Sequence, residues 1–298
     1  MLDTVCHYVL QWVEDNLDTG KNINDLIYSI GYSRKTVEVW FHKKYGITIG
    51  TYLFRRRMSR ASVLLRLTHL SITEIATLLH YSSSQNFART FKRFSNKSPT
   101  EYRNSGYWDV TIMQPSLLYQ FDIQNAHKAK ISDIFFHGKS YSINESFFYR
   151  KDMKIKGGFQ KLIVDLCSLK KDDILVCVEN INDVDLDKSR KGIVNVSVKA
   201  GEILDKYQKE ADVMPKGEYY YADFSGSWQE YYLFTFSFFI AAVANKKYSP
   251  KDNVHYICFH PVSQDTCGFV NCTMYIPLGI STDQKLSLIH ISEPTRLQ

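Results

Sequence analysis

Two stretches of the N-terminal third decide the fold: residues 22–46, NINDLIYSIGYSRKTVEVWFHKKYG, and residues 71–96, SITEIATLLHYSSSQNFARTFKRFSN. Each stretch contains a short amphipathic segment, a tight turn and a longer segment whose apolar residues recur at helical spacing. The copies lie 49 residues apart up to the turn residues Tyr32 and Tyr81 and 50 residues apart further on, so one residue has slipped inside the second copy. A short helix, a tight turn and a longer helix make a helix-turn-helix unit, and the sequence predicts two of them.

Residues that favour helix ends support this interpretation. Asn22 or Asn24 can cap the first short helix, and Gly31 can end it in the left-handed conformation. Ser33 is placed to cap the first longer helix. In the second copy, the run Ser-Ile-Thr-Glu that begins at Ser71 is a capping box.

Further helices are predicted around the two copies. Residues 8–17 carry apolar side chains at helical spacing, and residues 49–67 form a long helix that joins the copies. Ser98 and Pro99 begin a last short helix, because proline is favoured at the first helical position. The long helix carries four arginines that we expect on its outer side: Arg55, Arg56, Arg57 and Arg60.

The charge distribution indicates what this helical region binds. Residues 1–108 contain 15 lysines and arginines against 8 aspartates and glutamates, a net charge of +7 in a chain whose total is +6. All of the positive excess therefore lies in the N-terminal third, which favours a polyanion-binding domain there. The composition, with 23% charged and 44% hydrophobic residues, excludes wholesale disorder.

After Gly106 the pattern changes to short aromatic and β-branched runs, as in residues 174–178, 193–198 and 219–224. Several of these runs alternate apolar and polar residues, which is typical of strands. Only two longer helices are predicted there, at about residues 157–168 and at the apolar segment that starts with Trp228. This mixture predicts an α+β domain with an antiparallel sheet.

The predicted architecture therefore has two domains. An all-α N-terminal domain, residues 1–108, contains two helix-turn-helix units joined by a long helix. An α+β C-terminal domain with an antiparallel sheet covers residues 118–278. Residues 279–298 form a tail that fits neither pattern. Its segment at 286–296 reads like translated adapter sequence, and the alternative is a native disordered tail.

Sequence signals for metal sites, membranes and enzymes are weak. The six cysteines form no Cys-x-x-Cys pair and lack a histidine cluster at zinc-like spacing, so we expect reduced thiols, a cytoplasmic location, no metal and no cofactor. The longest apolar run, residues 231–244, is too short to span a bilayer, and no signal peptide is recognisable. No phosphate-binding loop or hydrolase motif occurs, so we do not expect an enzyme.

Short segments of the helical region follow a known pattern. They are Gly31-Tyr32-Ser33-Arg34, Phe41-His42-Lys43-Lys44 with Gly46, Arg55-Arg56-Arg57-Met58, Ser84-Gln85 with Phe87 and residues 89–92, and Pro99 with Tyr102-Arg103. These segments resemble the AraC/XylS family of transcription activators, most closely the subgroup with MarA, SoxS and Rob. The resemblance implies a monomer that binds double-stranded promoter DNA through two recognition helices and that contacts RNA polymerase.

The second domain resembles the GyrI-like domain that follows the DNA-binding domain in Rob. The matching segments are Gly217-Glu218-Tyr219, Phe224-Ser225-Gly226 and residues 271–277. The resemblance implies a cupped sheet that binds a small amphipathic ligand, and aromatic side chains suit such a pocket. The ligand-binding candidates are Tyr219, Tyr221, Trp228, Tyr256 and Thr273.

DNA recognition needs side chains that reach base edges and cations that contact the flanking phosphates. The base-reading candidates lie at outward positions of the two longer helices: Arg34, Lys35, Thr36, Glu38, Ser84, Gln85, Asn86 and Arg89. The phosphate-binding candidates are basic residues around them: Lys43, Lys44, Arg55, Arg56, Lys92 and Arg93.

The sequence departs from the family at two places. Lys35, Glu38 and Val39 stand where the subgroup has a tryptophan and a glutamine–arginine pair, so the bidentate arginine contact to guanine is missing there. In the second domain, Thr273 stands where a glutamate usually faces the ligand, so the charge that recognises cationic compounds is missing at that position.

Two functions of different classes remain open. The first is a sequence-specific transcription activator whose C-terminal domain senses a ligand. The second is a non-specific DNA-binding protein whose C-terminal domain sequesters small molecules. Competition between promoter DNA and random DNA distinguishes them.

Overall fold

A computed structural model describes residues 1–68, 70–105, 109–118, 126–146, 158–169, 172–182, 193–244, 249–250, 254–260 and 268–279. The chain divides into two compact units. The first unit contains residues 1–120, 142–162 and 181–196, and the second contains residues 121–141, 163–180 and 197–298. The interpretation of residues 279–298 as a non-family tail concerns, apart from Gly279, residues outside the described ranges.

The N-terminal region is helical, as predicted. Its helices are α1 (Leu2–Asp15), α2 (Ile23–Ile30), α3 (Arg34–Tyr45), α4 (Ile49–Leu67), α5 (Ile72–Leu78), α6 (Ser84–Ser95) and α7 (Pro99–Asn104). Helices α2 and α3 form one helix-turn-helix unit, α5 and α6 form the other, and α4 is the long helix between them. The predicted fold class of this region is confirmed.

The internal repeat extends to the helix caps. Asn22, not Asn24, caps α2, and its side chain accepts a hydrogen bond from the Asn24 amide. The two longer helices begin after Ser33 and Ser83, whose hydroxyls each accept a hydrogen bond from the backbone amide of the third helical residue. These serines are 50 residues apart, so the extra residue of the second copy lies in its turn, just before Ser83.

Left-handed residues recur at matching positions as well. Gly31 ends α2 with φ 75°, and His80, 49 residues later, has φ 58°. Gly46 and Asn96 end α3 and α6 with φ 71° and 59°. Both helix-turn-helix units thus require a left-handed residue in the turn, and the second unit places a histidine there, where glycine would be unstrained.

Helix α4 contributes to two hydrophobic cores. Its first turns, with Ile49 and Tyr52, pack with buried residues of α1, α2 and α3. Its later turns, with Met58 and Leu64, pack with buried residues of α5, α6 and α7. Residues 109–118 continue this packing, because Leu117 contacts the first core and Ile112 in the same segment contacts the second.

The expectation that all four α4 arginines point outward is wrong. Arg55 is exposed, but Arg56 is buried and both Arg57 and Arg60 are half-buried. The guanidinium of Arg57 donates to backbone carbonyls of the α1–α2 loop, including those of Leu17 and Lys21. Because α4 is packed on several sides, only part of its surface reaches solvent.

The C-terminal region contains helices and strands in mixed order. They are β1 (His127–Ile131), β2 (Ile134–Phe136), β3 (Lys139–Ser146), α8 (Gly158–Leu169), β4 (Ile174–Asn182), β5 (Ile193–Leu204), β6 (Asp212–Met214), β7 (Gly217–Ser227), α9 (Trp228–Ala244), β8 (Ser249–Pro250), β9 (His255–Phe259) and β10 (Phe269–Gly279). Antiparallel ladders join them in the orders β1-β7-β10-β9-β4 and β5-β2-β6. The predicted α+β class with an antiparallel sheet is confirmed.

Helix α9 covers one face of the larger ladder. Tyr220 and Phe224 of β7 stack on Phe238 and Phe234 of α9, with ring centroids 5.4 and 4.9 Å apart. Because side chains alternate along a strand, the odd-numbered residues of β7 and β10 lie on the opposite face. Among the described residues, no helix combines the length and apolar character that crossing a membrane requires.

Candidate nucleic-acid interface

The first recognition helix, α3, presents fewer base-reading side chains than expected. Arg34 and Lys35 are exposed, and Thr36 is half-buried with its hydroxyl 2.8 Å from the Ser33 hydroxyl. Glu38 is half-buried, and its carboxylate accepts a hydrogen bond from the backbone amide of Ile49 at 3.2 Å. Glu38 therefore contacts the first residue of α4, whose N-cap is Thr48, and its role in base reading stays a prediction.

The second recognition helix, α6, has a polar outer face and an apolar inner face. Gln85, Asn86 and Arg89 are exposed, while Phe87 and Phe91 are fully buried. Ser84 is half-buried at the start of the helix. Glutamine and asparagine can pair with adenine, and arginine can pair with guanine. These residues occupy the N-terminal half of α6, which is the part of a recognition helix that contacts bases.

The basic residues around the two helices fall into two groups. Lys43, Arg55, Lys92 and Arg93 are exposed, as phosphate contacts require. Lys44 forms a surface ion pair with Asp3 and lies 5.6 Å from the centre of the Tyr45 ring. The hydrogen bond to Asp3 raises the pKa of Lys44, so this lysine stays charged but is already engaged.

Arg56 does not belong to the phosphate-binding set. Its guanidinium binds Glu14 of α1 through two hydrogen bonds of 2.8 and 2.7 Å and donates to the Gln114 carbonyl at 2.7 Å. Tyr52 donates to the same carboxylate at 3.0 Å. Only 9% of the Arg56 side chain is exposed, so its assignment as a DNA contact is wrong.

The electrostatics of this buried pair are mutually supporting. Burial alone would raise the pKa of Glu14, but the charge of Arg56 and the hydrogen bonds from Arg56 and Tyr52 outweigh it and lower that pKa. Burial alone would lower the pKa of Arg56, and Glu14 reverses that effect. Both groups are therefore ionised, and the pair links α1, α4 and the segment that contains Gln114.

Further contacts join the two helix-turn-helix units. The His80 ring, in the turn of the second unit, lies 2.9 Å through Nε2 from the Asp18 carbonyl in the α1–α2 loop. Gly20 of that loop has φ 72° and lies directly against the same ring. The sequence analysis missed Gly20, His80 and Glu14, although the 49-residue offset between Gly31 and His80 indicated a special backbone position.

The second compact unit of the chain, residues 121–141, 163–180 and 197–298, is called the C-terminal unit below. Four of the five ligand-binding candidates share one face of its sheet. Tyr219, Tyr221, Tyr256 and Thr273 lie on the side away from α9. Tyr219 is fully buried and donates to the Pro215 carbonyl, so it is a core residue. Trp228 packs on the other side, against Phe259 at 6.2 Å, and therefore does not join the candidates.

A carboxylate lies directly beside Thr273. The Thr273 hydroxyl donates to Asp223 Oδ1 at 2.6 Å, and Asp223 is exposed on the same face. Nearby, Asp173, Cys258 and His260 come together, although no metal ligands were expected from the sequence. Cys258 and Asp173 are 85 residues apart, and no local spacing indicates such a group.

Known proteins align mainly with the helical region. A family model described as a helix-turn-helix domain matches residues 10–105. The HTH-type transcriptional activator AarP of Providencia stuartii is 32% identical over 111 residues, which are 37% of this chain and 82% of that protein. The transcriptional regulator Rob of Salmonella typhimurium is 30% identical over 153 residues, 50% of this chain and 53% of that protein.

The putative HTH-type transcriptional regulator YkgA of Escherichia coli is 39% identical over 114 residues, and the match spans 38% of this chain and 48% of YkgA. The chain therefore spans about half the length of YkgA and of Rob, but most of the length of AarP. The residues that the family model matches, 10–105, are those that build the two helix-turn-helix units around α4. The chain thus belongs to the AraC/XylS family of DNA-binding transcription regulators, in its MarA- and Rob-like group.

Proposed function

We propose that the protein is a transcription activator that binds promoter DNA as a monomer and reads it with α3 and α6. The observation that carries this proposal is that α4 belongs to the cores of both helix-turn-helix units. A shared rigid helix suits two recognition helices that enter successive major grooves, about 34 Å apart on one face of DNA. A single chain then reads a site that dimeric helix-turn-helix proteins read with two.

The contacts between the units support the same proposal. Arg57 donates to carbonyls of the α1–α2 loop, and His80 from the second unit contacts the Asp18 carbonyl in that loop. These contacts resist rotation of one unit against the other. A fixed separation of the recognition helices favours sequence-specific binding over binding in many registers.

Membership of the family supports a proposal for the partners and the location. AarP is described as an activator, and an activator of this family has RNA polymerase as its second partner. We propose the same partner for this chain, a cytoplasmic location and no enzymatic activity.

In the C-terminal unit, Tyr221 and Tyr275 stack with their ring centroids 5.8 Å apart, beside Asp223. Aromatic rings next to a carboxylate suit a small amphipathic ligand, and with Asp223 present that ligand can be cationic.

The test is DNA binding by the full chain. DNA sites that the protein binds are first selected from a random library. Fluorescence anisotropy then compares the affinity for a selected site with the affinity for scrambled duplexes of equal length, and the ratio measures specificity. Analytical ultracentrifugation of the complex measures stoichiometry. We expect one chain per site and a selected site about 1,000-fold or more tighter than scrambled DNA, within the range of specific binders. Equal affinity for both duplexes supports the alternative of a non-specific DNA-binding protein, and two chains per site contradicts the monomer.

A further inference from the structure

We propose that Asp173, Cys258 and His260 form a binding site for a divalent transition-metal ion, with zinc as the best match. The three side chains lie in the C-terminal unit, on the face of the sheet away from α9. Their ligand atoms all lie within 4.8 Å of one another. The proposal does not depend on the DNA-binding function.

The distances fit a single small ion. His260 Nδ1 is 3.0 Å from Asp173 Oδ2, and Cys258 Sγ is 3.8 Å from the same oxygen. Zinc binds nitrogen, oxygen and sulfur at about 2.0–2.3 Å in tetrahedral geometry, which separates neighbouring ligand atoms by about 3.3–3.8 Å. The observed separations therefore need only small side-chain adjustments to surround an ion.

The hydrogen bonds of Thr273 determine which nitrogen of His260 faces the site. The Thr273 hydroxyl gives its only proton to the Asp223 carboxylate at 2.6 Å. His260 Nε2 lies 3.1 Å from the same hydroxyl oxygen, so Nε2 must carry a hydrogen and donate it. In the neutral ring, Nδ1 then presents a lone pair towards Asp173.

This arrangement calls for a cation between His260 and Asp173. A lone pair and a carboxylate oxygen at 3.0 Å repel each other unless a positive charge lies there. A metal ion supplies that charge, and a proton on Nδ1 is the alternative that the experiment must exclude. A metal-binding histidine commonly donates its other ring N–H to a polar group, as His260 does to Thr273.

The site is built on strands and is open on one side. Thr273 pairs with Cys258 and Asp223 across neighbouring strands, and the amide of His260 donates to the Asn271 carbonyl at 2.9 Å. Cys258 is buried, whereas the Asp173 and His260 side chains are 43% and 33% exposed. An ion can therefore enter from solvent, and water can occupy its fourth position.

The ligand set selects the metal. A thiolate and an imidazole suit zinc and cobalt, whereas magnesium and calcium prefer oxygen ligands only. Binding replaces the thiol proton of Cys258, which is released to solvent. A bound ion would join β9 to the residue that precedes β4, and through Thr273 and Asp223 it would reach β10 and β7.

The experiment uses the reduced, chelator-treated full chain. Titration with Co²⁺ is followed by the thiolate-to-cobalt charge-transfer band in the near ultraviolet and by the visible bands of tetrahedral cobalt. We expect one Co²⁺ per chain, full displacement by Zn²⁺ and no displacement by Mg²⁺. A second measurement is thermal unfolding, in which Zn²⁺ should raise the Tm.

Matched variants assign the ligands. Cys258→Ala and His260→Gln should abolish the charge-transfer band and the effect of Zn²⁺ on the Tm. Cys272→Ala, which removes a buried thiol on the opposite face of the sheet, should leave both unchanged. Thr273→Val keeps the three ligands but frees the His260 ring, and it should weaken Co²⁺ binding by about 10–100-fold. If Cys258→Ala does not fold, His260→Gln, which changes a partly exposed side chain, still tests the proposal.

Several results would overturn the proposal. One is a wild-type chain that shows no charge-transfer band with excess Co²⁺, which would leave a protonated His260 paired with Asp173. Another is metal binding that survives His260→Gln, or that requires Cys272. Loss of the band in both ligand variants but not in Cys272→Ala would support the site.

Discussion

The imidazole of His80 lies against the backbone of Gly20. A Cβ atom at residue 20 would lie 2.9 Å from His80 Cγ, closer than ordinary van der Waals contact. The ring is held there by the 2.9 Å contact between Nε2 and the Asp18 carbonyl. His80 occupies the left-handed turn position of the second helix-turn-helix unit, and Gly20 lies in the loop before the first unit. The second unit is therefore in direct contact, away from α4, with the loop that leads into the first unit.

The first prediction concerns Gly20. Gly20→Ala should destabilise the protein by the cost of a left-handed alanine, about 1–2 kcal/mol, and by an added cost from displacing the His80 ring. Gly46→Ala is the matched control, because Gly46 has φ 71° but open space around it. Urea unfolding measures both. Equal losses of unfolding free energy in the two variants would show that displacing the His80 ring does not affect stability.

The second prediction concerns the buried ion pair. Glu14→Gln leaves the Arg56 charge without a carboxylate in the interior, and we expect a loss of about 3–5 kcal/mol in the free energy of unfolding. The double variant Glu14→Leu/Arg56→Met removes both charges and should recover much of that loss. Arg55→Ala, an exposed neighbour, should hardly change stability. A Glu14→Gln protein as stable as the wild type would refute the role of the pair.

The third prediction concerns pH. The folded-state pKa of Glu14 lies below its ordinary value of 4.5. The stabilisation from Glu14 is therefore complete above pH 4.5 and is lost as the pH falls through the lower folded-state pKa. The slope of unfolding free energy against pH in this acid range should flatten in Glu14→Gln. Asp3→Asn should leave the slope nearly unchanged, since the Asp3–Lys44 pair is exposed and screened by solvent.

The fourth prediction concerns sequence reading. Arg89→Ala should relax base preference in one half of the binding site and cost about 1–3 kcal/mol, if its contact to the base is bidentate. Glu38→Ala should leave base preference unchanged and instead lower stability by about 0.5–1.5 kcal/mol, because the Glu38 carboxylate accepts a hydrogen bond from the Ile49 amide at the start of α4. Selection of bound sequences from a random library measures both. A sharp change of base preference in Glu38→Ala would show that Glu38 contacts a base.

The fifth prediction concerns salt. Binding of DNA by the full chain should weaken steeply as the salt concentration rises, because phosphate contacts release counterions. Lys43→Ala should weaken binding to all sequences alike and reduce the log–log salt slope by about one. Arg56→Ala should leave that slope unchanged, because Arg56 is bound to Glu14. A slope near zero for the wild type would contradict phosphate binding altogether.

The helices and the repeat could be predicted from the sequence because their signals are local. The Ser33 side chain caps α3 by accepting from the Thr36 amide, three residues away, and Gly31 ends α2 through its own left-handed backbone conformation. The aromatic run at residues 219–224 likewise predicted a strand, and this strand is part of β7, where even-numbered side chains pack on α9. Signals of this kind involve residues within one helical turn or one strand, so they can be read before the chain is folded.

The tertiary structure alone decided what several charged and aromatic residues do. Arg56 looked like its exposed neighbour Arg55 until the fold brought Glu14, 42 residues away, against it. Trp228 packs against Phe259 on the α9 side of the sheet, whereas the other ligand candidates lie on the opposite side. Asp173 and Cys258 meet across 85 residues. The sequence by itself determined the elements and the family, because caps and periodicity act over a few residues. Burial, pairing and candidate ligand sets depend on which distant elements pack together, and only the folded chain determines that.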